Sequence, residues 1–361
     1  MVTADAAARG RELAAGALAG DRVALARLLT AVENRTPVAE TALRSLHAAA
    51  GRAHLVGITG APGAGKSTLV AALIGEIRAT GRTVAVVAVD PSSPITGGAL
   101  LGDRVRMQSY SDDDGVFIRS MASRGHAGGL AASSVAAATV LDAAGFDLIL
   151  LETVGTGQSE VEVAAAADTT VVLEAPEMGD EVQAIKAGLL EVADIVVVNK
   201  GDRPGAQRTA AELRAMLTVV AGPRRSGAAA TFAGAAAGGG ASAPAPPGAA
   251  AGTPDPGPER PHPKRPEVLV TTAVSGEGVP ELLAAIGRHR EGIGAAEGGT
   301  PVRRARAAAL VWALLGDRVR RRLEHPDRAA ATAAALDAVV RHELDPYAAA
   351  DRLLEMLRAE G

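Results

Sequence analysis

Residues 60–67 read GAPGAGKS and fit the spacing G-x-x-x-x-G-K-[ST]. An apolar run (55–59) precedes them and a helix-like stretch (68–79) follows. In that context Gly60, Ala61, Pro62, Gly63, Ala64 and Gly65 can turn successive backbone N–H groups inward around phosphate oxygens, with a helix N-terminus behind them. Lys66 can then reach the β- and γ-phosphates, and the Ser67 hydroxyl can ligate Mg2+, with Thr68 next along the helix. An ordinary Gly-rich turn has no packing use for Lys followed by Ser.

A second pattern bears on the base. VVVNKGD places Asn199, Lys200 and Asp202 just after a Val/Ile-rich run, as N-K-x-D. A carboxylate there can accept from both N1–H and N2–H2 of guanine, whereas adenine has no matching pair of donors. Charge-assisted hydrogen bonds contribute about 1.5–3 kcal/mol each, so two discriminate strongly. Thr272, Ala273 and Val274, at the end of the next apolar run, stand where a backbone N–H can meet guanine O6.

Acids fall at the ends of two further runs, Asp90 and Glu152. In a parallel sheet ligands gather at the carboxyl ends of strands, so both acids belong on the phosphate side, where carboxylates hold Mg2+. Glu152 opens E-x-x-G, and the N–H of Gly155 can sense a γ-phosphate. Gln158, just beyond, is placed to orient a water. The stretch DPSSPITGGALLGDRVRM (90–107) is long and rich in Pro and Gly, as functional loops often are. It carries Asp103, Arg104 and Arg106, charges able to reach phosphate or metal. The candidate catalytic set is Lys66, Glu152, Asp103 and Arg106; the candidate metal ligands are Ser67, Asp90, Asp103 and Glu152. Residues 176–188 are a second candidate mobile loop.

The elements that must position these groups are legible as apolar runs over 55–59, 83–90, 115–121, 146–152, 169–175, 194–200 and 267–273. They are Val/Ile-rich and do not alternate, as expected of strands covered on both faces. Interleaved with helical segments they predict an α/β fold with a mostly parallel sheet. Residues 1–50 read as a helical extension, 51–300 as the phosphate-binding domain, and 301–361 as a C-terminal helical arm. Within the domain, 222–266 is dominated by Ala, Gly and Pro and is expected to be a disordered insertion.

Composition narrows the functions. The chain of 361 residues has no Cys, which removes disulfides, thiolate metal sites and a Cys nucleophile together. Net charge is 37 − 41 = −4, and aromatics make up 2%. Neither a nucleic-acid partner nor a membrane partner is expected from that balance. No leader peptide or apolar run of membrane-spanning length is evident, so a cytoplasmic protein is expected.

Taken in order, GAPGAGKST, DPSSPITGGALLGDRVRM, SRGHAGGLA, LETVGTGQSE, GDEVQAIKAGLLEVADIVVVNKGD and LDPYAAADRLL resemble the MeaB/ArgK-type GTPases. These are the G-protein chaperones of adenosylcobalamin-dependent acyl-CoA mutases, such as methylmalonyl-CoA mutase. The resemblance covers nearly the whole chain except 222–266. It implies a P-loop NTPase of the SIMIBI class, GTP as substrate and GDP as product, and Mg2+ as cofactor. It also implies a mutase as partner and a homodimer formed through the C-terminal arm. On this resemblance the family's Mg2+-site acids fall on Asp90, Asp103 and Glu152, and its base reader on Asn199–Asp202. APEMGDE lacks the Gly that usually follows Pro in the family's third switch, and TTAVSGEG stands in place of the usual Ser-Ala guanine loop. Two other readings are open. A nickel or cobalt metallochaperone GTPase would call for Cys/His clusters, and a kinase would call for an acceptor pocket.

Overall fold

The computed structural model describes residues 3–90, 108–110, 112–122, 129–153, 166–176, 190, 192–220, 266–295 and 299–358. Each N-terminal helix begins where a side chain replaces a missing helical acceptor. Thr3 accepts from the Ala6 N–H ahead of α1 (Ala4–Leu18), Asp21 from Val23 and Ala24 ahead of α2 (Arg22–Glu33), and Thr36 from Ala39 ahead of α3 (Pro37–Leu46). Pro37 sits in the first turn of α3, where its missing N–H removes no helical bond.

Among the described residues seven strands form one parallel sheet: β1 (His54–Gly60), β2 (Val84–Asp90), β3 (Val116–Ala122), β4 (Leu148–Thr153), β5 (Thr169–Glu174), β6 (Ile195–Val198) and β7 (Glu267–Val270). Their order is β3-β2-β4-β1-β5-β6-β7. Every residue of β1, β4, β5 and β6 is buried, which is why their sequences do not alternate. One face packs on α4 (Lys66–Ala79) and α7 (Val279–Ala295), through Leu69, Leu73, Ile77, Leu282 and Ile286. The other face is shared. Helices α1, α2, α3 and α5 (Gly129–Ala143) cover it around β2 and β3, and α6 (Ala206–Val220) covers it over β5–β7.

The expected α/β fold with a parallel sheet is therefore present, with each of the seven apolar runs forming a strand. Two runs overshoot. The run 194–200 stops as a strand at Val198, because Lys200 turns the chain with φ 59. The run 267–273 stops at Val270, because Thr272 leaves the ladder to donate its N–H to the Glu277 carbonyl at 2.8 Å. The insertion read over 222–266 lies outside the described residues except for Pro266.

Among the described residues three helices follow α7: α8 (Gly299–Leu323), α9 (Pro326–Val340) and α10 (Pro346–Arg358). Arg318 of α8 pairs with Glu40 of α3 at 2.5 Å, tying the arm to the N-terminal helices. Val311, Trp312, Leu336, Val340 and Tyr347 of the arm are exposed. Among the described residues no helix is long and apolar enough to cross a membrane.

At the amino edge of the sheet, opposite the phosphate side, polar groups cross the core in a chain. His54 Nε2 and Thr169 Oγ1 are 2.8 Å apart, Thr169 Oγ1 and His289 Nδ1 2.8 Å, and His289 Nε2 and Asp194 Oδ1 3.4 Å. Asp194 Oδ2 accepts from the Thr170 N–H at 2.8 Å. The chain joins β1, β5 and α7 to the turn before β6. Burial pushes the His54 imidazole down to about 4 from 6.5, against Asp168, which pulls it up. The unfolded chain then takes up a proton near pH 6.5 that the folded chain refuses until about pH 4. His54 therefore supports the fold fully above pH 6.5, and that support is lost as pH falls toward 4, by about 3 kcal/mol in all. Urea midpoints measured from pH 7 to pH 4 should fall more steeply for the natural protein than for His54→Gln. Parallel curves would show that this imidazole does not drive the loss.

Candidate functional site

The central strand β1 runs straight into the phosphate loop. Gly65, at φ 95, is the residue before α4, and no side chain caps that helix. The first-turn N–H groups of α4 thus keep the orientation that favours an anion. Gly65 has a second reason to lack a side chain: a Cβ there would stand 2.5 Å from Asn199 Nδ2. Lys66 is only 7% exposed and folds over the loop, with Nζ donating to the carbonyls of Gly60 at 2.7 Å and Ala61 at 3.3 Å. Ser67 Oγ donates to Glu152 Oε1 at 2.7 Å, and both groups are buried. Glu152 is in β4, paired in register with Ile58 of β1. The sheet thereby brings together a phosphate loop and a carboxylate that are 85 residues apart.

Ser67 and Glu152 fit Mg2+: a hydroxyl and a carboxylate oxygen form a hard donor pair beside a phosphate cradle. Among the described residues no three His, Asp or Glu side chains cluster as a metal site. Asp90 closes β2 and so reaches the same sheet edge by its backbone, but its side chain is not described. Asp103, Arg104, Arg106, Gly155, Gln158 and residues 177–188 also lie outside the described residues.

The base-reading motif divides into two jobs. Asn199 is 2% exposed, and its amide is held within the protein. Nδ2 donates to the Ala64 carbonyl at 2.9 Å; Oδ1 accepts from Thr271 Oγ1 at 3.2 Å and from the Ala273 N–H at 3.1 Å. Asn199 therefore ties the phosphate loop to the loop after β7 and does not itself face a base. Asp202 is exposed, on a turn closed by the Arg203 N–H donating to the Lys200 carbonyl at 2.9 Å. The left-handed φ of Lys200 is unfavourable for a side-chain-bearing residue, a strain of about 1–3 kcal/mol that typically collects at ligand sites.

The expected O6 donors are also sorted by the structure. The N–H groups of Thr272 and Ala273 are already engaged by Glu277 and Asn199. The N–H of Val274 makes no hydrogen bond among the described residues, and its side chain is 90% exposed. Sequence reasoning passed over Thr271, whose hydroxyl orients the Asn199 amide. Its signal was slight, a Thr ending an apolar strand, since β-branched residues there are usually explained by strand packing.

Comparison with known proteins agrees with this geometry. A family model named MeaB, described as methylmalonyl-CoA mutase-associated GTPase, matches residues 25–327. A Pyrococcus abyssi protein with GTPase in its name is 41% identical over 342 residues, covering 95% of each chain. The Escherichia coli GTPase ArgK is 43% identical over 187 residues, covering 51% of this chain and 56% of that one. A solved structure described as LAO/AO transport system kinase matches with TM-score 0.63 and 25% identity over 99% of both chains.

The tie at Asn199 has a measurable consequence. Asn199→Ala removes a buried amide and strands the Ala64 carbonyl and the Ala273 N–H, each a loss of about 1–3 kcal/mol. Calorimetry should show a lower melting temperature, and nucleotide titration at least tenfold weaker binding. Thr271→Val, which removes one of the three bonds, should fall between the two.

Proposed function

Because the chain belongs to the MeaB family of methylmalonyl-CoA mutase-associated GTPases, we propose that it hydrolyses GTP to gate cofactor loading and protect an adenosylcobalamin-dependent acyl-CoA mutase. In this reading it works in the cytoplasm as a homodimer with Mg2+ as cofactor. The observation that supports the nucleotide half is that Asn199, three residues before the exposed Asp202, bonds both to the phosphate loop at the Ala64 carbonyl and to the loop after β7 at the Ala273 N–H. Asp202 accepts from guanine N1–H and N2–H2, while the Val274 N–H donates to O6.

The backbone of 60–68 cradles the phosphates. Lys66 leaves the Gly60 and Ala61 carbonyls for β- and γ-phosphate oxygens, where it offsets charge as the bond to the β–γ bridging oxygen breaks. Water adds to the γ-phosphorus in line with departing GDP. Ser67 and Glu152, together with Asp90 and Asp103, would hold Mg2+, which when bound would neutralise phosphate charge. Arg106 is the candidate cation for the γ-phosphate, and the Gly155 N–H the candidate sensor of that group. The exposed Trp312, Val311 and Val340 supply apolar surface for pairing two copies through the C-terminal arm.

A second reading is favoured by the name of the solved relative, a transport system kinase. There the γ-phosphoryl would pass to an acceptor instead of water. Phosphate release that is fully accounted for by GTP consumed, with no labelled acceptor, would exclude it.

Two measurements test the proposal. Asp202→Asn should lose GTP affinity and gain XTP affinity, because an amide donor opposes guanine N2–H2 but meets the C2 carbonyl of xanthine. Buried polar mismatches discriminate strongly, so a reversal of preference is expected in competition titrations of GTP, ATP and XTP. Equal wild-type affinity for ATP and GTP would sink the guanine assignment. For the partner, the chain loaded with GDP or a non-hydrolysable GTP analogue should capture a cobalamin-dependent mutase, and that mutase should accelerate GTP turnover. An unchanged rate with each such mutase tried from the same cell would refute the chaperone role while leaving the GTPase intact.

A further inference from the structure

Between α2 and the edge strand β3 lies an open groove of about 440 Å3. Arg22, Val23, Arg27, Phe117, Ile118 and Arg119 line it. Three guanidinium groups thus converge on one cleft. Glu33 answers one of them, pairing with Arg119 Nη2 at 2.8 Å. Arg22 lies 5.5 Å from the centre of the Phe117 ring, which holds it in place over the floor. Arg27 is exposed, and Val23 is 58% exposed beside it. The groove is cationic with an apolar lip.

Its floor has a direction. The Gly115 carbonyl accepts from the Val84 N–H of the neighbouring strand at 2.9 Å, so the backbone groups of 115, 117 and 119 turn toward β2. Those of Val116, Ile118 and Ser120 turn outward. Arg22 Nη2 donates to the outward Val116 carbonyl at 2.7 Å, and Nη1 to the Asp114 carbonyl at 3.0 Å. The amino end of the edge is therefore closed. Beyond it the outward groups of Ile118 and Ser120 pair with nothing among the described residues, where β3 is bonded to β2 alone. An open sheet edge invites another strand.

We propose that this groove docks an extended acidic segment of a partner protein, which adds to β3 from Ile118 onward and sets carboxylates against Arg27 and Arg119. Carboxylates two residues apart on one side of an extended segment are spaced by about 6.5–7 Å, a spacing that lets neighbours meet different guanidinium groups. Intervening apolar side chains fall on the opposite face of the sheet, the side on which Ile118 packs, while Val23 flanks the carboxylates beside Arg27. The proposal does not depend on which nucleotide the protein hydrolyses.

A fluorescein-labelled octapeptide of alternating Glu and Val, titrated against the full chain and followed by anisotropy, tests it. Saturable binding is expected, with Arg27→Glu and Val23→Glu each weakening it at least tenfold without changing basal turnover or melting temperature. Arg322→Glu, on the distant basic end of α8, should leave affinity unchanged. The same peptide with alternate backbone nitrogens methylated should bind at least tenfold more weakly, because strand pairing needs those N–H groups. Four outcomes would overturn the proposal: no saturable binding, equal binding of a Lys–Val octapeptide, indifference to Arg27→Glu, or full displacement by millimolar inorganic phosphate. The last would mark a small-anion site instead.

Discussion

The amide of Asn199 bonds simultaneously to the Ala64 carbonyl, the Thr271 hydroxyl and the Ala273 N–H. Those partners belong to two loops that the chain reaches more than 200 residues apart, at the carboxyl ends of strands in one sheet. In the low-dielectric interior each bond is strengthened, and each would be costly to leave unmade. The phosphate loop cannot shift without moving the loop after β7. In the proposed function this coupling makes phosphate cradle and base reader a single rigid receptor, and it explains why Gly65 must lack a side chain.

Around that receptor the sheet assigns stiffness unevenly. The central strands are covered on both faces and wholly buried, so the phosphate loop and Glu152 are anchored in the best-packed part of the molecule. The polar chain from His54 to Asp194 pins the opposite edge by tying β1 and β5 to α7. Helix α7 follows the loop that receives Asn199, so the amino edge of the sheet also steadies the base side of the site. The edge strand β3 is different. It is held by α2 through Arg22 and the Arg119–Glu33 pair, and eight residues lie between it and the stretch from Asp90 to Met107 that carries Asp103 and Arg106.

What the sequence determined by itself was whatever short-range spacing fixes. A phosphate loop is one turn, so eight consecutive residues specify it. Strands covered on both faces must be apolar throughout, so all seven were visible as runs. The placing of Ser67 beside Glu152 followed from a general rule, that parallel strands present their carboxyl ends together. Only the tertiary structure decided what each residue of a motif does. Asn199 and Asp202 share one motif, yet one is buried as a tie and the other is left to solvent, because strand β6 ends between the core and the surface. Ala273 and Thr272 looked equivalent to Val274 until their N–H groups were engaged by groups outside their own strand. The His54 chain and the arginine groove join residues about 90 or more apart, and no local pattern records a contact that exists only once the sheet has put its strands in order.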